Sequence, residues 1–332
     1  MTTSLTEVGR WVDSQYDFFG ANYNNQLVYD GTYLYVGTVH NGPSSSLLPQ
    51  VIKVDPTTML EVARWTDTVL TDAIALSMTG DGTYIYVGLS SSGTVIQIDP
   101  ATMSEVTRLN ADPNNSVSWL DFDGTSIYAC LIYPSVLVRI DPATMTATGG
   151  WTNSVDESSW AVTHDGAYLY VVTDSAVVKI DKTTLLEVTR WTSGVNLTYC
   201  IIDNDDTFIY IGKPYSFPAQ VAQIDAATLS HVTYWTSSSG DYGVLGLAHN
   251  GTNLAVEMGY KFSNTTVALL DTTTMTQITK YQDTLTPGGS DYWAGNFIYA
   301  ESNYHEIIKL TMSTGPTNIT VHMTYPVKRR KI

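Results

Sequence analysis

One composite phrase recurs seven times along the 332 residues, and it constrains the fold more than any other feature. Its first half reads Asp-Gly-Thr-Tyr-Leu-Tyr-Val-Gly at residues 30–37. It returns at Asp81-Gly82, Asp123-Gly124, Asp165-Gly166, Asp205-Asp206, Asn250-Gly251 and Ala294-Gly295, in steps of 51, 42, 42, 40, 45 and 44 residues. The second half, Val-Asp-Pro-Thr-Thr-Met-Leu-Glu-Val-Ala-Arg-Trp at 54–65, returns around Asp99, Asp141, Asp181, Asp225 and Asp271, and in degenerate form at Thr311. A unit of this length cannot bury its own faces, so neighbouring units must stack on one another.

Each half reads as strand and turn. Asp-Gly between apolar runs suits a two-residue hairpin turn with φ > 0 at both residues. Asp-Pro suits the first two positions of a type I turn. The flanking runs, such as 33–36, 51–54, 84–87 and 95–98, are β-branched and aromatic, and no helical period occurs. The fourth segment of each unit carries charge, as at Glu61, Arg64, Glu105, Arg108, Glu187 and Arg190, which suits an outer edge strand. Four short strands per unit predict an all-β, seven-bladed propeller of four-stranded antiparallel blades.

The chain opens on the end of a repeat: residues 4–11, Ser-Leu-Thr-Glu-Val-Gly-Arg-Trp, match 58–65. Residues 4–11 are therefore expected to complete blade seven and close a single domain over 1–315. Residues 318–325 alternate as a strand does and compete for that slot, within a C-terminal segment 316–332.

The Asp-Gly-x-x-Leu/Ile-Tyr-Val strand and the Ile-Asp-x-x-Thr turn, over nearly the whole chain, resemble the YVTN-type seven-bladed propellers. The tetrapeptide is imperfect: Tyr35-Val36-Gly37-Thr38, Tyr86-Val87-Gly88-Leu89 and Tyr170-Val171-Val172-Thr173. The resemblance implies a surface-layer or secreted binding module, with enzymes a minority among such folds.

Composition narrows the function classes. Only 14% of residues are charged, and the net charge is −16. Lys328, Arg329, Arg330 and Lys331 supply four of the 16 cationic side chains, so the remaining body is more acidic still. Such a body repels phosphate backbones, which argues against nucleic acid as a partner. No apolar stretch reaches the length of a membrane span, and the start shows no signal-peptide pattern. Exposure outside a cell or on a virion is expected, reached by another export route. Cys130 and Cys200 fall in units three and five, too far apart to pair. Asn-x-Ser/Thr sequences at Asn114, Asn196, Asn250, Asn264 and Asn318 matter only in a glycosylating pathway.

Trp11, Trp65, Trp151, Trp191 and Trp235 recur at one repeat position and read as packing. A second aromatic set departs from the repeat: Trp119, Trp160, Tyr199, Tyr242 and Trp293, with Asp72, Asp156, Glu157, Asp241 and Asp291 nearby. Aromatic faces beside carboxylates suit sugar rings, which stack while their hydroxyls donate; they also suit a protein partner. The same residues read alternatively as channel packing and turn caps. The longest loops on that face are 38–50, 213–219 and 259–266. The six histidines are scattered, with His164 and His249 at equivalent turns of the opposite face. No catalytic motif, metal pattern or cofactor motif occurs, so no catalytic residue, metal or cofactor is expected. The favoured reading is a non-enzymatic module recognising a glycan or protein. The alternatives are a lyase or hydrolase using acids at the channel mouth, and an assembly subunit that oligomerises through its rim or through Lys328, Arg329, Arg330 and Lys331.

Overall fold

The computed structural model describes residues 3–12, 27–41, 47–69, 75–90, 92–155, 157–238, 241–259, 266–282, 287–294, 297–302 and 306–314. Among the described residues twenty-eight strands form seven four-stranded antiparallel sheets arranged as a ring. Blade three shows the pattern: inner strand Val117–Phe122, then Ile127–Leu131, Val136–Asp141 and outer strand Thr146–Thr152. The four strands are called A to D here, from channel to rim. The middle strands are sandwiched between neighbouring blades, so both their faces are buried, as in Ile85–Leu89 and Ala176–Asp181. Among the described residues no helix is long and apolar enough to cross a membrane.

Blade seven is closed by the N-terminus. Strand Thr3–Val12 pairs antiparallel with Glu306–Thr314, which continues into Phe297–Ser302 and Pro287–Ala294. Residues 316–332, including 318–325 and the basic Lys328, Arg329, Arg330 and Lys331, lie outside the described residues.

The repeated Asp of the A–B turn is fixed by its own hydrogen bonds. Asp30 Oδ1 accepts the Thr32 and Tyr33 amides at 2.7 Å each, and Oδ2 accepts the Tyr35 hydroxyl at 2.6 Å. Tyr86, Tyr128, Tyr170 and Tyr210 donate likewise to Asp81, Asp123, Asp165 and Asp205. These five tyrosines are fully buried, and each polar tip needs a partner there. The turn therefore spans four residues rather than the expected two. In five of the blades its second residue alone has φ > 0, as Gly31 at 95° and, in blade five, Asp206 at 67°. The side-chain cap of Asp replaces the mirror-image hairpin geometry.

The C–D turn also differs from a simple type I turn. The Met59 amide donates to Asp55 O at 2.7 Å, five residues inclusive, and Met59 sits at φ 53°. Met103, Met145, Leu185, Leu229 and Met275 repeat this left-handed position. The cost of a positive φ is offset by burial of the side chain, since Met59 packs over Gly9 of blade seven and Leu185 over Gly149 of blade three.

Each turn is held from the preceding blade by a strand-C donor two residues before the repeated Asp. Lys53 Nζ donates to Pro100 O at 2.8 Å, Gln97 Nε2 to Pro142 O at 3.0 Å, and Lys179 Nζ to Ala226 O at 2.7 Å. Arg139 and Gln223 reach Lys182 O and Thr272 O, and Lys309 of blade seven reaches Pro56 O of blade one at 2.7 Å. The corresponding residue in blade six is Leu269. It faces a blade whose third strand runs on to Thr314 instead of turning, so no turn carbonyl is offered. That seam uses another device: buried Glu7 is clasped by Arg10 at 2.7 Å and accepts the Tyr281 hydroxyl at 2.5 Å.

The rim explains the charged fourth strand. Glu61–Arg64, Glu105–Arg108 and Glu187–Arg190 form pairs along it. Every D strand carries a β-bulge, and Val62, Val106, Val188 and Val232 are its unpaired, half-exposed residues. Bulges with flanking charge keep an outer edge from pairing with another chain. The recurrent tryptophans pack beneath this strand as expected; Trp11, Trp65, Trp151 and Trp235 are buried and Trp191 half-buried.

Candidate functional site

The D–A and B–C loops share one end of the ring, the upper face. The repeated Asp turns occupy the other. Repetition fixes the lower face, and the upper loops are free to differ.

On the lower face, three contacts between inner strands share one position. The residue before the repeated Asp or Asn reaches back to the preceding blade. His164 Nδ1 lies 2.6 Å from Asp121 Oδ2, His249 Nδ1 lies 2.9 Å from Asp203 Oδ2, and Asn204 Nδ2 donates to Thr163 Oγ1 at 2.6 Å. The two histidines occupy equivalent positions, as the repeat predicts. Burial alone would lower their pKa values, but the facing carboxylates outweigh it and hold both above the ordinary imidazole value. Burial pushes the Asp203 carboxyl up, against the pull of His249. These pairs staple blades three to four and five to six.

On the upper face an aromatic group gathers over blades four to six. A β-bulge at the start of the blade-four inner strand turns Trp160 out of the sheet: Ser159 pairs with Thr173 and Ala161 with Val172, leaving Trp160 unpaired. Its indole Nε1 donates to Asp174 Oδ1 at 2.7 Å, and its ring tilts against Tyr199 with centroids 4.2 Å apart. Tyr199 meets Tyr215 edge to face at 6.0 Å, and Phe217 lies 5.9 Å from Tyr242. Asp174 organises the floor: its two oxygens also accept the Ser158 amide at 3.0 Å and the Thr198 hydroxyl at 2.9 Å.

Tyr199 has φ 62°. Among the described residues it is the one non-glycine with positive φ outside the repeated turns, and a bulky residue held there points to a functional constraint. Tyr133, Tyr199, Tyr215 and Phe217 are 57%, 44%, 53% and 65% exposed. Among the Phe, Tyr and Trp side chains whose exposure is described, the next most exposed is Tyr234 on the rim, so solvent-facing aromatic area concentrates on the upper loops of blades three to five.

A cleft of about 450 Å³ opens beside this group, lined by Asn196, Thr198, Tyr199, Lys213, Tyr215 and Ser216, among others. A shallower groove of about 550 Å³ shares Asn196 and Thr198 and runs to Asp174 and Ser175. The Cys200 thiol at the floor is pushed up to about 12 by burial, with the Lys213 charge opposing, so it stays protonated. Cys200 and Cys130 are both free and buried. A further crevice of about 190 Å³ lies on the lower face between blades one and two, beside Gly80.

Of the residues singled out in the sequence, Trp160, Tyr199 and Tyr242 come together on the upper face. Asp241 is buried next to Tyr242, 3.7 Å from Lys280 Nζ. Trp119 is buried in the core, one residue away from the bulge position that exposes Trp160; Ser118 occupies the equivalent place. Asp291 and Trp293 lie in the inner strand of blade seven. Asp72 and Asp156 lie outside the described residues, as do 42–46 and 260–265 of the long loops. Sequence reading missed Asp174, Asn196, Thr198, Lys213, Tyr215 and Phe217; the available signal was the long 213–219 loop, whose aromatic content belongs to no repeat.

Among the described residues no group of three or more His, Cys, Asp or Glu is placed to hold a metal ion. A scan against protein-family models finds none that matches the chain, and a search of curated proteins finds no significant relative. The architecture defines the class: a seven-bladed β-propeller, a fold that hosts binding and structural modules.

Proposed function

We propose that this propeller is a non-enzymatic carbohydrate-binding module, displayed on a virion or cell surface, with its site in the upper cleft of blades four and five. The observation that carries the reading is the exposed Tyr199–Tyr215 pair at the mouth of a cleft rimmed by amide and hydroxyl groups. A pyranose presents a C–H face that packs on an aromatic ring, and equatorial hydroxyls that exchange hydrogen bonds with Asn196, Thr198 and Ser216. Aromatic rings with few rotatable bonds lose little entropy on binding, and a concave site with few polar groups fixes orientation. The acid nearest the cleft, Asp174, already accepts three hydrogen bonds, which favours recognition over catalysis. Surface display is what the low content of charged residues and the resemblance to YVTN-type propellers favour.

A second reading, a protein partner on the same face, is favoured by Phe217 and Tyr133, which extend the exposed aromatic area beyond the cleft. A glycan array probed with the wild-type protein and with a Tyr199→Ala/Tyr215→Ala variant separates the two. Selective glycan signal that the variant loses supports the carbohydrate reading. Glycan signal that survives in the variant rejects this cleft, and a wild type blank on the array turns the assignment to a protein partner.

A further inference from the structure

We infer that the ligand of this cleft is an anionic saccharide, bearing a carboxylate or sulfate group, and that Lys213 recognises its charge. This rests on the carbohydrate reading above and adds the chemical class of the sugar.

The argument begins with how this chain uses its few cations. On a body of net charge −16 an anionic ligand is repelled at long range unless a local cation receives it. Every other Lys and Arg among the described residues already has its cationic group on a carboxylate or a backbone carbonyl. Lys53, Arg139, Lys179 and Lys309 hold turn carbonyls of the next blade. The others sit on carboxylates of the rim, the seam and both faces. Lys213 alone has its ammonium on none of these among the described residues, and it lines the cleft beside Tyr199 and Tyr215.

Its placement is also built. Lys213 stands where the second strand of blade five, Phe208–Gly212, ends. Its amide donates to Gln220 O at 3.3 Å, and its carbonyl accepts the Val244 amide at 2.8 Å and the Ser216 hydroxyl at 3.1 Å. The backbone under the side chain is thus tied to its own blade, to the next blade and to its own loop. Lys213 is also the only cation in the described upper-face loops, where Asp67, Asp112, Glu157, Asp174 and Asp241 supply the opposite charge. Asp67 and Asp241 are paired with Arg108 and Lys280 of the outer strands, which leaves Lys213 as the loop cation that can receive an anion at the cleft. The neighbouring acid, Asp174, spends its hydrogen bonds on Ser158, Trp160 and Thr198 and forms no ion pair with Lys213.

The test is direct binding of the intact protein to three matched probes: galacturonate oligosaccharides, sulfated galactan oligosaccharides and neutral galactan oligosaccharides. The wild type is expected to bind at least one anionic set about tenfold or more tightly than the neutral one, as one charge-assisted hydrogen bond in a partly desolvated site provides. The preference should shrink as salt rises. Lys213→Gln should bring the preference below about threefold, and Lys213→Arg should keep it. Preference for the carboxylate or for the sulfate set identifies the anionic group. Equal or tighter wild-type binding of the neutral set overturns the inference while leaving the carbohydrate reading intact, as does an anionic preference that survives Lys213→Gln. Failure of the wild type to bind any of the three probes overturns the inference, and a wild type also blank on the glycan array overturns the carbohydrate reading with it.

Discussion

Replacing Lys309 by Met tests how the ring is closed. Lys309 Nζ donates to Pro56 O at 2.7 Å across the blade-seven to blade-one interface and lies 3.9 Å from the Phe297 ring centroid. Methionine keeps the apolar stem on Phe297 but leaves the Pro56 carbonyl without this donor. A hydrogen bond from a charged donor contributes about 1.5–3 kcal/mol. Against this, burial pulls the Lys309 pKa below its ordinary value, with Asp55 opposing, so the native ammonium already carries a desolvation cost that Met removes. The net loss is therefore about 1–2 kcal/mol, or roughly 1.5–3 °C for a domain of this size. The assay is urea unfolding followed by circular dichroism, with two companions. Lys53→Met removes the same bond between blades one and two and should cost the same. Lys309→Gln should cost less than half as much, because Gln97 and Gln223 perform this role in blades two and five. A Lys309→Met midpoint indistinguishable from wild type, or a Gln variant as unstable as the Met variant, would refute the carbonyl latch as the closing interaction.

Three further outcomes follow from the structure. Gly212→Ala would place a Cβ 2.6 Å from Val244 Cγ1 and 2.9 Å from Ile201 Cγ1, costing about 1–3 kcal/mol by overpacking, and Val244→Ala in the same chain should recover part of that in a melt. His164 and His249 have folded pKa values above the ordinary imidazole value, so their contribution is complete below about pH 6.5 and is lost as pH rises through the folded values. The stability difference between wild type and His164→Gln/His249→Gln should accordingly shrink from pH 6 to pH 8.5; a constant difference would mean the imidazoles act only as neutral hydrogen-bond partners. Burial raises the pKa of both Cys130 and Cys200, so neither should react with a disulfide reagent at pH 8 until denaturant is added, and rapid labelling of one thiol in the folded protein would contradict its placement.

The scaffold was legible because repetition amplifies it. A single Asp-Gly is a weak turn signal, but a turn phrase recurring seven times, five of them with Asp and a tyrosine five residues later, imposes one geometry. The closing strand was legible for the same reason, since residues 4–11 copy the end of a unit. Turn lengths were not, because the Asp side chain completes the A–B turn and a buried left-handed Met or Leu completes the C–D turn. The site was legible only in outline. Trp119 and Trp160 look alike in sequence, but a bulge offsets them by one residue, so Trp119 packs into the core and Trp160 faces the loops. Tyr215 and Phe217 sit in a B–C loop that shares an aromatic-proline step with blade three (Phe217-Pro218 and Tyr133-Pro134) but no seven-fold pattern, so no period announces what a side chain does. Asp174 becomes significant only when the fold brings residues 158, 160 and 198 around it.

The most direct test of the account is calorimetric titration of the wild-type protein and of the Tyr199→Ala/Tyr215→Ala variant with the strongest oligosaccharide from the array. The account predicts saturable one-site binding by the wild type, and loss of that binding in a variant whose melting temperature is unchanged. Equal affinity in both proteins, or no saccharide bound by the wild type, would contradict it.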